Sequence, residues 1–343
     1  MQNKINIGII GRNFGYHVIY KASLKNKKYK IRGFSFKSKK GNKIKIPKNV
    51  KIYKSWKKLI LDRKINGVII ATPPFLHKNM ISFAIKNNKH IFCEKPFTTS
   101  YKEANFICDS VRKKKNLSHM VNYEFAEIDA FNFFKKKIIN KIKINKINLD
   151  WFISLNLNKE SRKSWKEDHS MGGGIIFNYI CHAIYYLEFL FGKIKAIKTN
   201  IFLEKKNNSK SLKGIIFFNN GLSVNLNVKA GAIKNKIKPL HQLTILSDKE
   251  NYILGTNLNS LADKFFLKTF NKNPKKIVKV LFDSEKNKND FRIKPTEKNL
   301  KKFETSISKG YAQKPNFFDA KRIHLIIKKM LISSKKRKII NIN

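Results

Sequence analysis

Cysteine is scarce in this chain of 343 residues, and its scarcity excludes a disulfide-stabilised secreted module. Three cysteines occur, Cys93, Cys108 and Cys181, and none belongs to a C-x-x-C pair. Three cysteines cannot build a disulfide framework, and their spacing with histidine and acidic residues does not suit a metal site. We therefore expect a reduced, cytoplasmic protein without a bound metal.

Acidic residues are few and arginine is fewer still. The chain has 74 basic and 22 acidic residues and a formal net charge of +52, yet only 8 of the basic residues are arginine, which leaves 66 lysines. Nucleic-acid binding is the first hypothesis for such a charge, but base readout and bidentate phosphate capture favour arginine. Lysine is spread along the whole length rather than collected in one patch. We attribute it to AT-rich codon usage, expect no nucleic-acid partner, and expect attraction of small anions.

Long uninterrupted hydrophobic runs are also missing. The most apolar stretch, residues 172–192, is long enough to cross a bilayer, but Asn178, His182 and Glu188 interrupt it. Polar and ionisable groups are costly at membrane depth, so the stretch is typical of a buried helix. The apolar run at residues 5–10 continues directly into a glycine turn, which is not how a secretory leader ends. We expect no membrane association.

Strands alternate with helices through the first third of the chain. Apolar, β-branched runs bounded by glycine, proline or polar residues predict strands at Lys4–Ile10, Ile31–Phe36, Gly67–Ala71, His90–Cys93 and Met120–Tyr123. Helical segments separate most of them. This rhythm predicts a parallel, doubly wound sheet, that is, an α/β domain of the Rossmann type over residues 1–121.

After residue 121 the strands follow one another without intervening helices. They are predicted at Ile147–Leu157, Ala196–Leu203, Leu212–Phe218, Leu222–Val228 and His241–Leu246. Asn219-Asn220-Gly221 between two of them is a hairpin signal. Residues 122–343 are therefore predicted to form an α+β domain with a large, mostly antiparallel sheet. We expect the exposed face of that sheet to make a homodimer or homotetramer.

A glycine-containing turn follows the first predicted strand and precedes a helix. Its sequence is Gly11-Arg12-Asn13-Phe14-Gly15. Such turns let the backbone approach a pyrophosphate, which then lies on the helix N-terminus. Asn13 replaces the middle glycine, and asparagine tolerates positive φ better than most residues. We expect Gly11, Asn13, Phe14 and Gly15 to bind a dinucleotide; a plain tight turn is the alternative.

The end of the second predicted strand bears on which dinucleotide is bound. NAD sites normally place an acidic residue about twenty positions after the glycine turn, whereas this chain has no Asp or Glu before Asp62. The second strand ends at Ser35-Phe36-Lys37-Ser38 instead, and a 2′-phosphate favours cations and hydroxyl donors. Ser35 and Lys37 therefore favour NADP over NAD. The alternative is that Lys37 is only a solvated loop lysine.

Two further motifs follow the third and fourth strands of the series, at the edge where open α/β sheets bind ligands. The first is ATPPFLH at residues 71–77 and the second is CEKP at residues 93–96. A surface role for the histidine of the first motif is an equal alternative to cofactor contact. The residues expected to contact the cofactor here are Thr72, Pro73, Pro74 and His77, and Glu94 and Lys95 lie at the same edge of the sheet.

A third motif begins with three glycines at residues 172–174. Asn178 and His182 follow four residues apart, so a helix would place them on one face. Glycines before such a helix would let substrate or cofactor approach closely.

In this order the three motifs resemble those of the Gfo/Idh/MocA family of nicotinamide-dependent oxidoreductases. The resemblance covers essentially the whole chain, through GIIGRNFG, ATPPFLH, FCEKP, VNYEF, SWKED with GGG, NFFDA and LISS. It implies that Lys95 lies near the nicotinamide and the substrate hydroxyl, and that its bond to Pro96 is often cis. It also implies that Glu94 lies beside the cofactor and that His182 is the catalytic histidine.

Two positions depart from the family pattern. Asn178 stands where many members have the aspartate that partners the histidine, and Tyr185 stands where many have another aspartate. Asparagine can hydrogen-bond a substrate or orient His182, but it cannot accept a proton. The acid–base work would then fall on His182 and Lys95, with Asn178 completing the catalytic set.

The implied activity is hydride transfer between nicotinamide and a hydroxyl or carbonyl of a sugar, sugar nucleotide or cyclitol. His182 would act as general base, since an imidazole has an ordinary pKa of about 6.5, and the Lys95 ammonium would stabilise alkoxide charge. The alternative is an altered, non-catalytic member that binds dinucleotide as a scaffold. For His182 itself the alternative is a satisfied core histidine.

Overall fold

The computed structural model describes residues 4–36, 44–155, 165–204, 208–232, 238–256, 265–283 and 290–342. The chain divides into two compact units. The first comprises Met1–Glu124 and Arg292–His324, and the second comprises Phe125–Phe291 and Leu325–Asn343. Lys37 and the last two residues of the strand predicted at 147–157 lie outside the described residues.

The strands number fifteen within the described ranges. In chain order they are β1 Ile5–Ile10, β2 Tyr29–Ser35, β3 Lys51–Ile52, β4 Gly67–Ile70, β5 His90–Cys93, β6 His119–Val121, β7 Ile144–Leu155, β8 Ile194–Glu204, β9 Asn208–Phe218, β10 Ser223–Ala232, β11 Leu240–Ser247, β12 Asn251–Thr256, β13 Phe266–Phe270, β14 Ile277–Asp283 and β15 Ile340–Asn341.

The α-helices are α1 Lys21–Ser23, α2 Trp56–Leu61, α3 His77–Lys86, α4 Tyr101–Arg112, α5 Asp129–Lys137, α6 Cys181–Phe191, α7 Ile293–Lys309 and α8 Phe317–Lys336. Two π-helical turns, Gly15–Tyr20 and Ile176–Ile180, lead directly into α1 and α6. Short 3₁₀ turns occur at Pro74–Leu76, Glu124–Glu127, Ile139–Lys141, Trp165–Glu167 and His169–Met171.

The first unit is built on a parallel sheet. Among its described residues the strand order is β3-β2-β1-β4-β5-β6, and every neighbouring pair is parallel. The predicted doubly wound α/β fold is confirmed. Because all strands run the same way, the residues that follow β1, β4 and β5 come to one edge of the sheet.

The core of the first unit includes a helix from far along the chain. Leu300 and Phe303 of α7 are fully buried with Ile7 and Ile9 of β1, and the Phe303 ring lies 5.6 Å from that of Phe92. The sequence predicts a second domain over all of 122–343, whereas residues 292–324 group with the first unit. An amphipathic helix shows which of its faces is buried, but not which sheet it packs against.

The second unit contains the larger sheet. Its described strands follow the order β14-β13-β12-β11-β7-β10-β9-β8-β15, and all neighbours are antiparallel except β7 with β10. The predicted mostly antiparallel sheet is confirmed. Gly221 has a φ of 85° in the turn between β9 and β10, as the hairpin signal requires. The sequence pattern did not predict strands β12 to β14. For β14 the reason is that most of its residues are exposed, so its sequence shows no alternation of apolar and polar residues.

The apolar stretch predicted to be a buried helix forms the segment that ends with α6. Residues 169–191 are long and apolar enough to cross a membrane by length and composition alone, yet 78% of the most apolar part is buried inside the protein. Burial of this kind is typical of the core helix of a sheet domain.

Candidate functional site

The glycine turn lies at the carboxyl end of β1, between the neighbouring strands. Gly11 has a φ of +124°, and a Cβ there would stand 2.2 Å from the carbonyl oxygen of Ala71. Its N–H donates to the Ser35 carbonyl at the end of β2, at 2.9 Å. A side chain is therefore excluded at Gly11, and the turn leads into a helix N-terminus, which is the geometry that a diphosphate needs.

Asn13 does not use the positive φ that its type suggested. The described non-glycine residues with positive φ are Asn88 and Arg337, and Asn13 and Phe14 belong to the first helical turn. The backbone freedom of a middle glycine is not needed in this version of the turn. Its place in the fold, after β1 and before a helix, remains that of a dinucleotide turn.

The tip of β2 carries no carboxylate. Ser35 is 5% exposed, and Phe36 follows it. The Arg12 guanidinium, which extends from the glycine turn, lies 5.9 Å from the centre of the Phe36 ring. The described part of the tip therefore offers a cation and no acidic side chain.

The ATPPFLH segment turns sharply after β4 and begins α3 at His77. Thr72 and Pro73 are half-buried, whereas Pro74 is buried. His77 is 0% exposed; its Nε2 lies 2.8 Å from the Thr72 carbonyl oxygen and its Nδ1 lies 3.1 Å from that of Phe97. The alternative of a surface role for His77 is therefore wrong. Both ring nitrogens lie against backbone oxygens, and direct contact of His77 with a cofactor stays a prediction.

The Lys95 loop, residues 94–99, follows β5. Glu94 is 5% exposed, Lys95 is half-buried, and the Lys95–Pro96 peptide bond is cis, as the resemblance implied. The Asn122 amide donates to Glu94 Oε1 at 2.7 Å. Burial, reinforced by the nearby Glu124 carboxyl, raises the pKa of Glu94 to about 8, against the opposing effects of Asn122 and Lys95. Burial therefore favours the protonated form of Glu94.

Asn122 belongs to the VNYEF motif, and its sequence position alone indicates no role. Its amide also donates to Thr296 Oγ1 at 3.1 Å, and its own oxygen accepts from Asn299 Nδ2 at 3.0 Å. All three side chains are buried. Thr296 and Asn299 belong to α7, more than 170 residues away in the chain, so no local signal connects them to Glu94.

In the second unit the three glycines serve a turn of the chain itself. Gly172 and Gly174 have φ values of 81° and 75°. A Cβ on Gly173 would stand 2.1 Å from the carbonyl oxygen of Trp165, and the Gly173 N–H donates to the Asp168 carbonyl at 2.7 Å. The expectation that these glycines admit substrate or cofactor is thus corrected at Gly173, where the chain's own backbone makes the close approach.

Asn178 lies in the π-helical turn and His182 in the first turn of α6. The Asn178 amide donates to the Lys166 carbonyl at 3.1 Å, a bond that an ionised aspartate could not make. His182 is 3% exposed, and its ring stacks on Phe125 with centroids 4.4 Å apart and planes 24° apart. Tyr185 is half-buried. Phe125 was missed as a partner of His182, because ring stacking between distant residues leaves no sequence spacing.

A parallel sheet of this strand order, with a glycine turn at the carboxyl end of its first strand, defines a dinucleotide-binding domain of the Rossmann type. Comparison with known families agrees. Residues 5–123 match the oxidoreductase family GFO/IDH/MocA with its NAD-binding Rossmann fold, and residues 138–256 match a GFO/IDH/MocA C-terminal domain. The chain belongs to this family.

Individual relatives are similar over part of their length. Levoglucosan dehydrogenase of Pseudarthrobacter phenanthrenivorans is 32% identical over 41% of this chain and 37% of its own length. The 2,7-anhydro-N-acetylneuraminate hydratase of Escherichia coli is 31% identical over 42% of this chain and 38% of its own length. The chain thus matches less than half the length of either relative.

Solved structures resemble the fold over nearly the whole chain. A levoglucosan dehydrogenase in complex with NADH has a TM-score of 0.79 at 17% identity, covering 99% of this chain and 100% of that one. An aldose-aldose oxidoreductase from Caulobacter crescentus, complexed with glycerol, has a TM-score of 0.77 at 13% identity, covering 99% and 100%. At these identities the likeness shows the fold.

The raised pKa of Glu94 predicts a specific pH dependence of stability. The folded protein keeps a proton on Glu94 that the unfolded chain releases above its ordinary pKa of about 4.5, so stability falls as the pH rises through the window from about 4.5 to about 8. Glu94→Gln removes that loss, which is at most about 1.4 kcal/mol per pH unit. Urea unfolding at pH 5 and pH 8 should show a smaller decrease in the midpoint for the variant than for the native protein.

Glu304→Gln is the control of opposite sign. Burial alone would raise the pKa of Glu304, but hydrogen bonds and ion pairs with Lys28 and Lys301 lower it below its ordinary value. Its ionised form stabilises the fold above the unfolded pKa, so this variant should lose stability at pH 8. If the stability of the native protein and that of Glu94→Gln depended equally on pH, Glu94 would be ionised in the folded protein over this pH range.

Proposed function

We propose that the protein is an NAD(P)-dependent oxidoreductase that transfers hydride between nicotinamide and a hydroxyl or carbonyl of a sugar-like substrate. The observation that carries the proposal is the position of Lys95. It stands on a cis-proline loop at the carboxyl end of β5, on the same sheet edge as the glycine turn after β1. Family membership supports the same reaction class. So do the names of two structural neighbours, a levoglucosan dehydrogenase and an aldose-aldose oxidoreductase.

The cofactor side of the site is formed by the first unit. Gly11, Gly15 and the helix N-terminus would hold the diphosphate, and Thr72 to Pro74 would border the nucleotide. A bound nicotinamide ring supplies the hydride acceptor or donor. NADP is favoured over NAD because the tip of β2 lacks a carboxylate and Arg12 extends toward it from the glycine turn. Lys37 completes the proposed 2′-phosphate contact on sequence grounds.

Proton transfer is assigned to two side chains. The His182 imidazole would take the hydroxyl proton during oxidation and return it during reduction. The Lys95 ammonium would hydrogen-bond a substrate oxygen and stabilise its developing charge. A neutral Glu94 favours this role, because an ionised carboxylate beside Lys95 would compete for the ammonium charge. Asn178, whose amide is bound to the Lys166 carbonyl, would contribute hydrogen bonding only.

The substrate class rests on relatives rather than on a described binding pocket. Their names indicate anhydro-sugars, a sialic acid derivative and aldoses. We retain sugars, sugar nucleotides and cyclitols as the proposed class, and a cytoplasmic setting as a prediction.

The proposed NADP preference predicts a selective effect of Lys37→Ala. Losing one phosphate-binding cation should weaken NADPH binding by about tenfold while leaving NADH binding nearly unchanged. Fluorescence titration with both nucleotides measures this, and Lys30→Ala, at an exposed position of β2, is the matched control. Preferential binding of NADH by the native protein would overturn the NADP assignment.

The proposed catalytic roles predict a loss of turnover without loss of nucleotide binding. Lys95→Met and His182→Ala should each lower kcat on the order of 10² to 10⁴-fold. Turnover is followed through the absorbance of reduced nicotinamide with a panel of aldoses, anhydro-sugars, sugar nucleotides and cyclitols, and His17→Ala, at an exposed position, is the control. Nucleotide binding by the native protein without turnover of any compound would instead favour the scaffold alternative.

Self-association is proposed through the large sheet. Along β7, Ile147, Leu149 and Trp151 are buried, whereas the alternating Asn148 and Asp150 are half-buried and bond side chains of β10. A sheet face of this kind is available to a second copy of the chain. Light scattering on the purified protein should give the mass of a homodimer or homotetramer; the mass of a single chain would contradict this.

A further inference from the structure

The Lys95 loop is held by buried side chains on both sides of Lys95. Before it, Asn122 donates to Glu94; after it, His77 lies against the Phe97 carbonyl and His324 accepts from the Thr98 N–H at 3.3 Å. These attachments all lie within the first unit. A loop without regular secondary structure must satisfy its buried backbone groups in this way, so the attachments determine where the loop can rest.

His77 joins this loop to the one after β4. Burial lowers the pKa of His77, outweighing its contacts with the Thr72 and Phe97 carbonyls. A neutral imidazole has one N–H: on Nδ1 it donates to the Phe97 carbonyl of the Lys95 loop at 3.1 Å, and on Nε2 it donates to the Thr72 carbonyl at 2.8 Å. The form with the proton on Nδ1 is the one that attaches the ring to the loop. The Cys93 thiol lies 3.4 Å from Nδ1 and donates to the Glu94 carbonyl at 3.3 Å; burial raises the pKa of Cys93 well above its usual value, so the thiol keeps its proton.

His324 contacts the same loop from α8. Its Nε2 accepts the Thr98 N–H and lies 3.4 Å from the Thr98 hydroxyl, and its ring centre is 6.5 Å from that of Phe97. Accepting from a backbone N–H requires an unprotonated nitrogen. Burial lowers the pKa of His324 to about 3, which keeps the ring in that form.

We propose that His77 and His324 are positioning residues for Lys95, so that the motif histidine of ATPPFLH acts through the loop instead of touching the cofactor. A neutral imidazole suits this place because it can donate and accept at fixed geometry without the cost of burying a charge. The role in turnover rests on the proposed function, whereas the role in holding the loop does not.

Hydrogen exchange tests the positioning role without requiring activity. In His77→Leu the full-length protein should exchange amides of residues 94–99 about five- to tenfold faster, since one hydrogen-bonded attachment is lost. His77→Gln, which retains an amide donor, should fall between this variant and the native protein. His324→Gln should also speed exchange in the loop.

His90→Gln is the matched control. His90 lies at the amino end of the same strand, β5, and its Nδ1 accepts from the Ser118 N–H at 3.1 Å. This variant should leave exchange at 94–99 unchanged. The proposal would be overturned if His77→Gln and His324→Gln exchanged amides of residues 94–99 at the rate of the native protein. It would also be overturned if His90→Gln raised that rate as much as they do. These variants decide the question even if His77→Leu does not fold.

Kinetics then separate positioning from general stability. His77→Leu, or His77→Gln to a smaller extent, should lower kcat by up to about 10²-fold through misplacement of Lys95 while the Kd for NADPH stays within about twofold. Unchanged kcat, or a loss of NADPH binding equal to the loss of kcat, would contradict the role in turnover. The native protein could turn over no compound while the His77 and His324 variants still exchange faster at residues 94–99. That result would support the attachment of the loop and would reject the proposed function alone.

Discussion

The parallel pairing of β1, β4 and β5 is the constraint on which the candidate site in the first unit depends. It brings three loops from separate parts of the chain to one sheet edge. Loops at such an edge have backbone groups that no strand satisfies, and buried side chains must satisfy them instead. His77 and His324 do so here, and Asn122 binds the Glu94 carboxyl beside them. The same contacts that make the edge stable therefore also determine where Lys95 stands.

Buried groups at this edge are kept neutral in a protein of very high positive charge. Burial lowers the pKa values of His77 and His324, and burial together with Glu124 raises that of Glu94. Such groups hydrogen-bond without the desolvation cost of an ion. Burial of Glu94 disfavours a full negative charge beside Lys95, which suits a group proposed to stabilise negative charge on a substrate oxygen. The many surface lysines require no such arrangement.

Some sequence signals identified a residue correctly but its role incorrectly. The glycine at 173 marks a close approach, yet the approaching atoms belong to Trp165 and its neighbours. Asn13 suggested positive φ but lies in a helical turn. His77 belongs to a cofactor-edge motif but is buried against two carbonyl groups. In each case the residue type indicates what the position requires, such as a small side chain or two ring nitrogens. It does not indicate which atoms of the protein or of a ligand the residue will contact.

The sequence by itself determined the alternation of strands and helices, the glycine turn, the hairpin at Gly221 and the family, because these depend on periodicity and on motifs a few residues long. Only the tertiary structure decided that α7 completes the first unit, that Thr296 and Asn299 reach Asn122, and that Phe125 stacks on His182. Those contacts join residues more than 50 positions apart. Their partners are selected by packing and by the need to satisfy buried polar groups, and neither leaves a pattern in the local sequence.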